Sequence, residues 1–197
     1  VGGDFYQFEM TPNGELIAVV INEDGAGTLR VLDAKTGKER RSPTLPLGTV
    51  SNLRFHENNR DLAFNLSSAK SPSDIHSLDI KSGKVERWTE SETGGLITDN
   101  FAEPEMIKLS SFDGTPVSGF IYRPDSGKFP GKRPVAMNIH GGPEGQSRPG
   151  FQTRNNYLLN ELGVAILYPN VRGSAGAPQD DPAGIGVSPL GGLLEPC

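Results

Sequence analysis

Apolar and polar residues alternate in short runs through the first half of the chain. The runs at 6–10, 15–21 and 28–33 are rich in β-branched and aromatic residues, and two turn sequences, Pro12-Asn13-Gly14 and Glu23-Asp24-Gly25, separate them. Such alternation is typical of half-buried β-strands, and Pro, Asn and Gly favour the turns between strands. The pattern therefore predicts short antiparallel strands over this half.

A second set of alternating runs repeats the first set. It comprises positions 50–55, 61–65, 75–79 and 85–88. The segment Leu32–Lys38 (LDAKTGK) returns 46 residues later as Leu78–Lys84 (LDIKSGK). A period in the forties with four strands per unit is typical of β-propeller blades, although two unrelated hairpins with a common turn sequence would give the same signal. Because a closed ring needs about four to eight blades, the two predicted blades imply others before them.

The hydrophobic pattern changes in the second half of the chain. Runs at 106–110 and 117–122 flank Phe112-Asp113-Gly114, which indicates a hairpin. The runs at 135–139 and 164–168 are almost wholly apolar, as expected of parallel strands that are covered on both faces.

One helix is predicted between the two apolar runs, at 152–162. Phe151, Leu158 and Leu162 would share its inner face, and Gly163 would end it. Strand, glycine-rich turn, helix and strand together form one βαβ crossover. The sequence therefore predicts that an antiparallel hairpin leads into the opening of a doubly wound α/β sheet.

Composition narrows the classes of function. The 197 residues carry a formal net charge of −5, which does not suggest a nucleic-acid partner. No run of 18 apolar residues occurs, so neither a transmembrane helix nor a membrane partner is expected. The single cysteine, Cys197, excludes an intrachain disulfide and a Cys-x-x-Cys metal site.

The sequence His140-Gly141-Gly142-Pro143 directly follows the apolar run at 135–139. A strand that stops in such a turn can provide half of an oxyanion hole, because the glycines turn the backbone tightly and leave an N–H group facing a developing negative charge. The partner motif, Gly-x-Ser-x-Gly, is absent from the sequence. Ser147 and Ser188 are near misses: Pro149 replaces the last glycine of the first, and the second is wrong by one residue of spacing. Ser147 is expected to be a loop or helix-capping serine, and Ser188, which no predicted strand precedes, is not expected to be a nucleophile either.

Four further segments follow the predicted blades in a fixed order. They are Ile107–Gly114, Phe120–Pro124, the His140–Pro143 turn and Tyr168–Ser174. In this conjunction the chain resembles the prolyl oligopeptidase family of serine peptidases, closest to its acylaminoacyl-peptidase and dipeptidyl-peptidase-like branch.

The resemblance implies a mixed fold and a peptidase reaction. A partial β-propeller of about two blades would occupy residues 1–102, and the N-terminal part of an α/β-hydrolase domain would occupy residues 103–174. The implied activity is hydrolysis of oligopeptide substrates by a Ser-Asp-His triad, through an acyl-enzyme and without a cofactor or metal ion. The propeller would restrict access to small, flexible peptides.

The same resemblance assigns roles around the glycine turn. The Gly142 N–H would be one oxyanion donor, and Gly141 would shape the turn. His140 would brace the loop rather than act as the catalytic base. Arg172 is expected to organise its own loop through a salt bridge.

The end of the chain departs from the family pattern. Residues 173–197 contain six Gly and four Pro among 25 and no aromatic, Lys or Arg residue, which is typical of low-complexity sequence. From residue 103 onward the chain has 95 residues, whereas such a hydrolase domain needs about 200–250. A truncated or frame-shifted product is therefore expected, with a disordered or non-native tail at 175–197. No triad residue would be present, and the chain alone would be inactive.

Two other functions remain open. An esterase or lipase would share the glycine turn but would not account for the repeated strands. A non-enzymatic propeller that binds a partner would make the second half of the chain an accessory.

The remaining candidate residues are expected to be structural. His56 and His76 would be surface or blade-packing residues, because neither has a second ligand at metal-binding spacing. The segment 22–25 would be a hairpin turn rather than a cation loop. Five aromatic residues are expected to pack between blades: Phe5, Phe8, Phe55, Phe64 and Trp88.

Overall fold

A computed structural model describes residues 4–142 and 145–175. Pro143 of the glycine motif, Ser188 and most of the predicted tail lie outside the described residues. No helix within the described ranges is long and apolar enough to cross a membrane.

Two four-stranded antiparallel sheets follow one another along the chain. The first repeat sheet is formed by β1 (Asp4–Met10), β2 (Leu16–Glu23), β3 (Ala26–Asp33) and β4 (Glu39–Arg41), in that spatial order. The second repeat sheet is formed by β5 (Gly48–Phe55), β6 (Asp61–Ser68), β7 (Ser71–Asp79) and β8 (Val85–Arg87), again in order. The internal repeat predicted from the sequence is thus confirmed, because each copy folds into the same meander.

The repeated LDxKxGK segments make the same turn in both sheets. The Gly37 N–H donates to the Asp33 carbonyl at 2.9 Å, and the Gly83 N–H donates to the Asp79 carbonyl at 2.7 Å. Each aspartate carboxylate also accepts the N–H three positions further on, at 2.9 and 3.2 Å respectively. Both glycines have a positive φ (68° and 79°), which explains why glycine is required there.

The main apolar core lies between the two repeat sheets. It contains Ala18, Val20, Leu29 and Val31 from the first and Val50, Leu53, Phe55, Leu62, Phe64, Leu66 and Leu78 from the second. Phe55 and Phe64 therefore pack between the sheets as predicted.

The prediction that the other three aromatic residues pack between blades is wrong for this chain. Phe5, Phe8 and Trp88 are 69%, 68% and 66% exposed. Phe5 and Phe8 pair with Ile21 and Val19 in β2 and so lie on the face that points away from the second repeat sheet. Trp88 follows β8, and its indole N–H donates to the Ser77 hydroxyl at 2.8 Å.

A third sheet, the C-terminal sheet, has the strand order β11-β12-β10-β9. Its strands are β9 (Pro104–Ser110), β10 (Pro116–Tyr122), β11 (Val135–Met137) and β12 (Ala165–Asn170). β9 and β10 form the predicted hairpin, and β11 runs parallel to β12. The prediction that 135–139 is covered on both faces is wrong here: β11 is an edge strand, and Val135 and Met137 are 55% and 43% exposed.

The helix between β11 and β12 is shorter than predicted. The helix α1 spans Asn155–Asn160, because Thr153 has a φ of 42° and cannot continue it backward. Leu159 is fully buried, whereas Leu162, predicted on the inner face, is 47% exposed. Gly163 ends the helical segment with a φ of 60°, as predicted.

A smaller core joins the C-terminal sheet to the second repeat sheet. Phe120, Tyr122, Leu159 and Ile166 pack together with Ala69, which lies in the turn between β6 and β7. The Tyr122 hydroxyl donates to the Gly150 carbonyl at 3.0 Å and thereby fixes the loop before α1.

Candidate functional site

The glycine turn begins where β11 leaves the C-terminal sheet. The Asn138 N–H donates to the Leu167 carbonyl at 2.8 Å, and beyond it the chain turns through His140, Gly141 and Gly142. Gly142 has a φ of 75°, and beyond its chain neighbours no atom of the described residues lies within 4 Å of the place where its Cβ would be. Glycine is therefore needed for the backbone conformation rather than for space. Among residues 4–142 and 145–175, no acceptor receives the Gly142 N–H.

His140 connects the glycine turn to the turn after β12. Its Nε2 lies 2.9 Å from the Ser174 hydroxyl oxygen, and Ser174 is only 5% exposed. The Ala175 N–H donates to the Gly145 carbonyl at 3.1 Å, so two hydrogen bonds join the same pair of segments. Because its Nε2 hydrogen-bonds to a buried hydroxyl, His140 connects the two loops, as a structural residue would.

Ser147 is held by the backbone and side chain around β12. Its N–H donates to Asn170 Oδ1 at 2.7 Å, and Asn170 Nδ2 donates to the Ser147 carbonyl at 3.2 Å. The Ser147 hydroxyl donates to the Pro169 carbonyl at 3.3 Å, and the residue is 7% exposed. No described histidine or carboxylate hydrogen-bonds to this hydroxyl, so nothing in the described part of the chain activates it.

Arg172 is predicted from the sequence to form a salt bridge within its own loop. It instead pairs with a residue of a different loop. Its Nη2 lies 2.6 Å from Asp113 Oδ2, in the turn between β9 and β10, and its guanidinium lies 5.5 Å from the Phe112 ring centroid. The Thr115 N–H, together with Thr115 and Arg172 side-chain hydrogen bonds, lowers the pKa of Asp113. The pair therefore links the hairpin turn to the segment after β12.

The structure adds contacts that the sequence did not predict. Asn22 Nδ2 donates to Gln146 Oε1 at 2.8 Å, across 124 residues of sequence. The Arg148 guanidinium lies 4.3 Å from the centroid of the Tyr6 ring. These contacts tie the first repeat sheet to the segment after the glycine turn. The sequence identifies Asn22 only as part of a hairpin turn. No local sequence pattern predicts a contact with a residue 124 positions away.

The two remaining histidines are placed differently from each other. His76 is 9% exposed and stacks on Phe64, with ring centroids 5.7 Å apart. Its Nδ1 lies 3.0 Å from the Asp74 carbonyl. His56 is exposed, and its Nδ1 accepts the Asn58 N–H at 3.2 Å. One is thus a packing residue and the other a surface residue.

A buried carboxylate, Asp74, anchors the chain where it leaves the second repeat sheet. It is fully buried and accepts hydrogen bonds from the Ser71 and Thr89 hydroxyls and from the N–H and hydroxyl of Ser91. Arg87 pairs with it at 2.6 Å. Burial alone would raise the pKa of Asp74, but the hydrogen bonds outweigh burial and lower the pKa from 3.8 to about 2.

Comparison with known proteins assigns the repeat sheets. Residues 3–91 match the family model described as prolyl oligopeptidase, N-terminal beta-propeller domain. An uncharacterized peptidase, YuxL, of Bacillus subtilis (strain 168) is 29% identical over 111 residues, which are 55% of this chain and 16% of that protein.

Solved structures share the fold over most of the chain. Prolyl oligopeptidase B from Galerina marginata, solved with a 35mer hydrolysis and macrocyclization substrate, is 20% identical and superposes with a TM-score of 0.72. The match covers 87% of this chain and 24% of that one. For Pyrococcus horikoshii acylaminoacyl peptidase the identity is 21%, the TM-score 0.67 and the coverage 90% and 26%.

The chain spans about a sixth of its peptidase relative and about a quarter of these solved structures. The predicted propeller fold of the repeat sheets is confirmed by the family match and by the shared fold. Residues 3–91 therefore resemble the N-terminal propeller of the prolyl oligopeptidase family.

Proposed function

We propose that this chain contributes a propeller sector and one oxyanion donor to a serine peptidase that hydrolyses short peptides. In this proposal the Gly142 N–H stabilises the tetrahedral intermediate, and Gly141 permits the turn that presents it. One such donor contributes roughly 10²–10³-fold to the rate. The nucleophile, the acid and the base would come from sequence outside the chain described.

One observation carries the proposal: Gly142 is exposed, and its N–H has no hydrogen-bond acceptor among the described residues. An amide that no protein acceptor receives, at the end of a parallel strand, is available to an external anion. The match of residues 3–91 to the prolyl oligopeptidase propeller makes the scissile carbonyl of a peptide the expected source of that oxyanion.

The proposed organisation follows the predicted boundaries. Residues 1–102 would be propeller blades, 103–174 the start of an α/β-hydrolase domain, and 175–197 a non-native tail. The parallel pairing of β11 and β12, with α1 between them, supports the second boundary pair. The esterase and the non-enzymatic propeller are not favoured, because the matched propeller is that of a peptidase family.

Two measurements test the proposal. The source DNA beyond codon 174, read in all three frames, should resume an α/β-hydrolase pattern with Gly-x-Ser-x-Gly. The protein encoded by that frame should cleave peptide p-nitroanilides in preference to p-nitrophenyl esters. If no frame contains the motif, or if only esters are cleaved, the proposal is wrong.

The chain of 197 residues itself should not react with a fluorophosphonate probe. Stoichiometric labelling at Ser147 or Ser188 would mean that the chain carries its own nucleophile.

A further inference from the structure

We propose that the first repeat sheet positions the glycine turn, with Asn22 and Tyr6 acting as positioning residues through Gln146 and Arg148. This inference rests on the proposed role of Gly142 as an oxyanion donor. It gives the propeller a part in forming the reactive site, beyond restricting access to it.

The Asn22 amide is fixed before it meets the C-terminal half. Asn22 is 5% exposed, and its Oδ1 accepts the Gly25 N–H at 2.9 Å within the turn between β2 and β3. This bond sets the orientation of the amide group, so Nδ2 can point in only one direction. In that direction it donates to Gln146 Oε1 at 2.8 Å.

The turn that carries Asn22 approaches the C-terminal half unusually closely. A Cβ atom at Gly25 would lie 2.7 Å from the Ser147 carbonyl oxygen and 2.9 Å from the Phe120 ring. Gly25 also has a φ of 96°, which only glycine adopts readily. The absence of a side chain therefore lets the two backbones meet at this point.

The segment that receives these contacts is also held from the opposite side. Asn170 binds both the N–H and the carbonyl of Ser147, at 2.7 and 3.2 Å. Arg148 lies over the Tyr6 ring at 4.3 Å, a distance at which a guanidinium is attracted to an aromatic face. Residues 146–148 are therefore clamped between the first repeat sheet and β12.

The clamp reaches the glycine turn through Gly145. The Gly145 N–H donates to the Gly142 carbonyl at 3.4 Å, and the Gly145 carbonyl accepts the Ala175 N–H at 3.1 Å. Gln146 follows Gly145 directly, so movement of Gln146 displaces the residue that holds Gly142. Loss of the contact with Asn22 should therefore loosen the Gly142 amide.

The test measures the ¹⁵N backbone order parameter of Gly142 in the full chain. In Gln146→Leu it should fall from about 0.85 to below about 0.6, because leucine cannot accept the Asn22 hydrogen bond. Gln146→Glu keeps an acceptor oxygen and should restore the higher value. Gln7→Leu, on β1, is the matched control, since no described residue hydrogen-bonds to the Gln7 side chain.

Arg148→Met gives a second, independent variant if Gln146→Leu does not fold. It keeps an apolar stem but removes the cation above Tyr6, and it should lower the Gly142 order parameter in the same direction. An unchanged order parameter in both variants, with the amide signals of β1–β4 intact, would overturn the inference.

The outcome does not depend on catalysis. If the order parameter falls but the longer protein hydrolyses no peptide, the positioning stands and the proposed function fails. If the longer protein hydrolyses peptides but Gly142 stays rigid in both variants, only the positioning fails.

Discussion

Replacing Asp74 with alanine should destabilise the second repeat sheet by about 3 kcal/mol. Removing one partner of a buried ion pair costs about 3–5 kcal/mol, because the other charge and its hydrogen-bond donors are left unsatisfied. The lower end applies here, since the Arg87 side chain is 41% exposed and can be rehydrated, whereas Asp74 is fully buried. The hydroxyls of Ser71 and Thr89 lose their acceptor as well.

The same carboxylate makes stability depend on pH. The pKa of Asp74 is lowered from 3.8 to about 2 in the folded protein. Its contribution is therefore complete above about pH 4 and is lost as the pH falls through about 2. The shift corresponds to at most about 2.4 kcal/mol, and solvent screening around the half-exposed Arg87 reduces the expected loss to about 1–2 kcal/mol.

Trp88 provides the assay, because it is the single tryptophan and lies next to Thr89 in the anchored segment. Urea unfolding followed by Trp88 fluorescence should show a lower midpoint for Asp74→Ala with an unchanged slope. Asp99→Ala is the matched control: Asp99 is exposed, and its replacement should change the free energy of unfolding by less than about 0.5 kcal/mol. Equal effects of the two substitutions, or no difference between wild type and Asp74→Ala in acid unfolding, would refute this account.

Three further changes test the packing. Leu62→Ala removes a side chain from the core between the repeat sheets and should lower the free energy of unfolding in urea by about 2–5 kcal/mol. Leu96 is 55% exposed, so Leu96→Ala should lower it by under about 0.5 kcal/mol. Gly25→Ala should lower the free energy of unfolding by about 2–3 kcal/mol, because a methyl group would collide with the Ser147 carbonyl. Gly14→Ala, at a φ of 70° with open space around it, should lower it by only about 1 kcal/mol. Arg172→Met should cost less than about 1 kcal/mol in thermal unfolding, since its ion pair with Asp113 is partly exposed, and a larger loss would mean that the pair holds more than the hairpin turn.

The repeat sheets could be predicted from sequence because local signals define them. Asp33 and Asp79 each begin a turn whose hydrogen bonds stay within five residues, so the turn, its glycine and the flanking alternation all appear in one short window. Once the turns are fixed, each meander follows, and so does the packing of alternate residues such as Phe55 and Phe64.

Features that depend on distant neighbours could not be predicted in this way. Phe8 and Phe55 both lie in the first strand of their repeat, yet Phe55 is 6% exposed and Phe8 is 68% exposed. Phe55 pairs with Leu62 of the core between the sheets, whereas Phe8 pairs with Val19 on the opposite face of the first repeat sheet. The apolar run at 135–139 predicts burial, but among the described strands β11 pairs only with β12, and Val135 and Met137 are 55% and 43% exposed. The contact of Asn22 with Gln146 arises solely from the approach of two segments that are 124 residues apart.

The glycine turn lies between these two cases. Its positive φ at Gly142 follows from the sequence, since glycine is favoured there. The partner of His140 does not, because Ser174 comes within 2.9 Å only when β12 has paired with β11.

A crystal structure of the longer protein with a phosphonate bound covalently to its serine would test the central proposal most directly. We predict that the Gly142 nitrogen lies about 2.7–3.1 Å from a phosphonate oxygen. A phosphonate oxygen bound only by other amides, with the Gly142 N–H paired inside the protein, would contradict it.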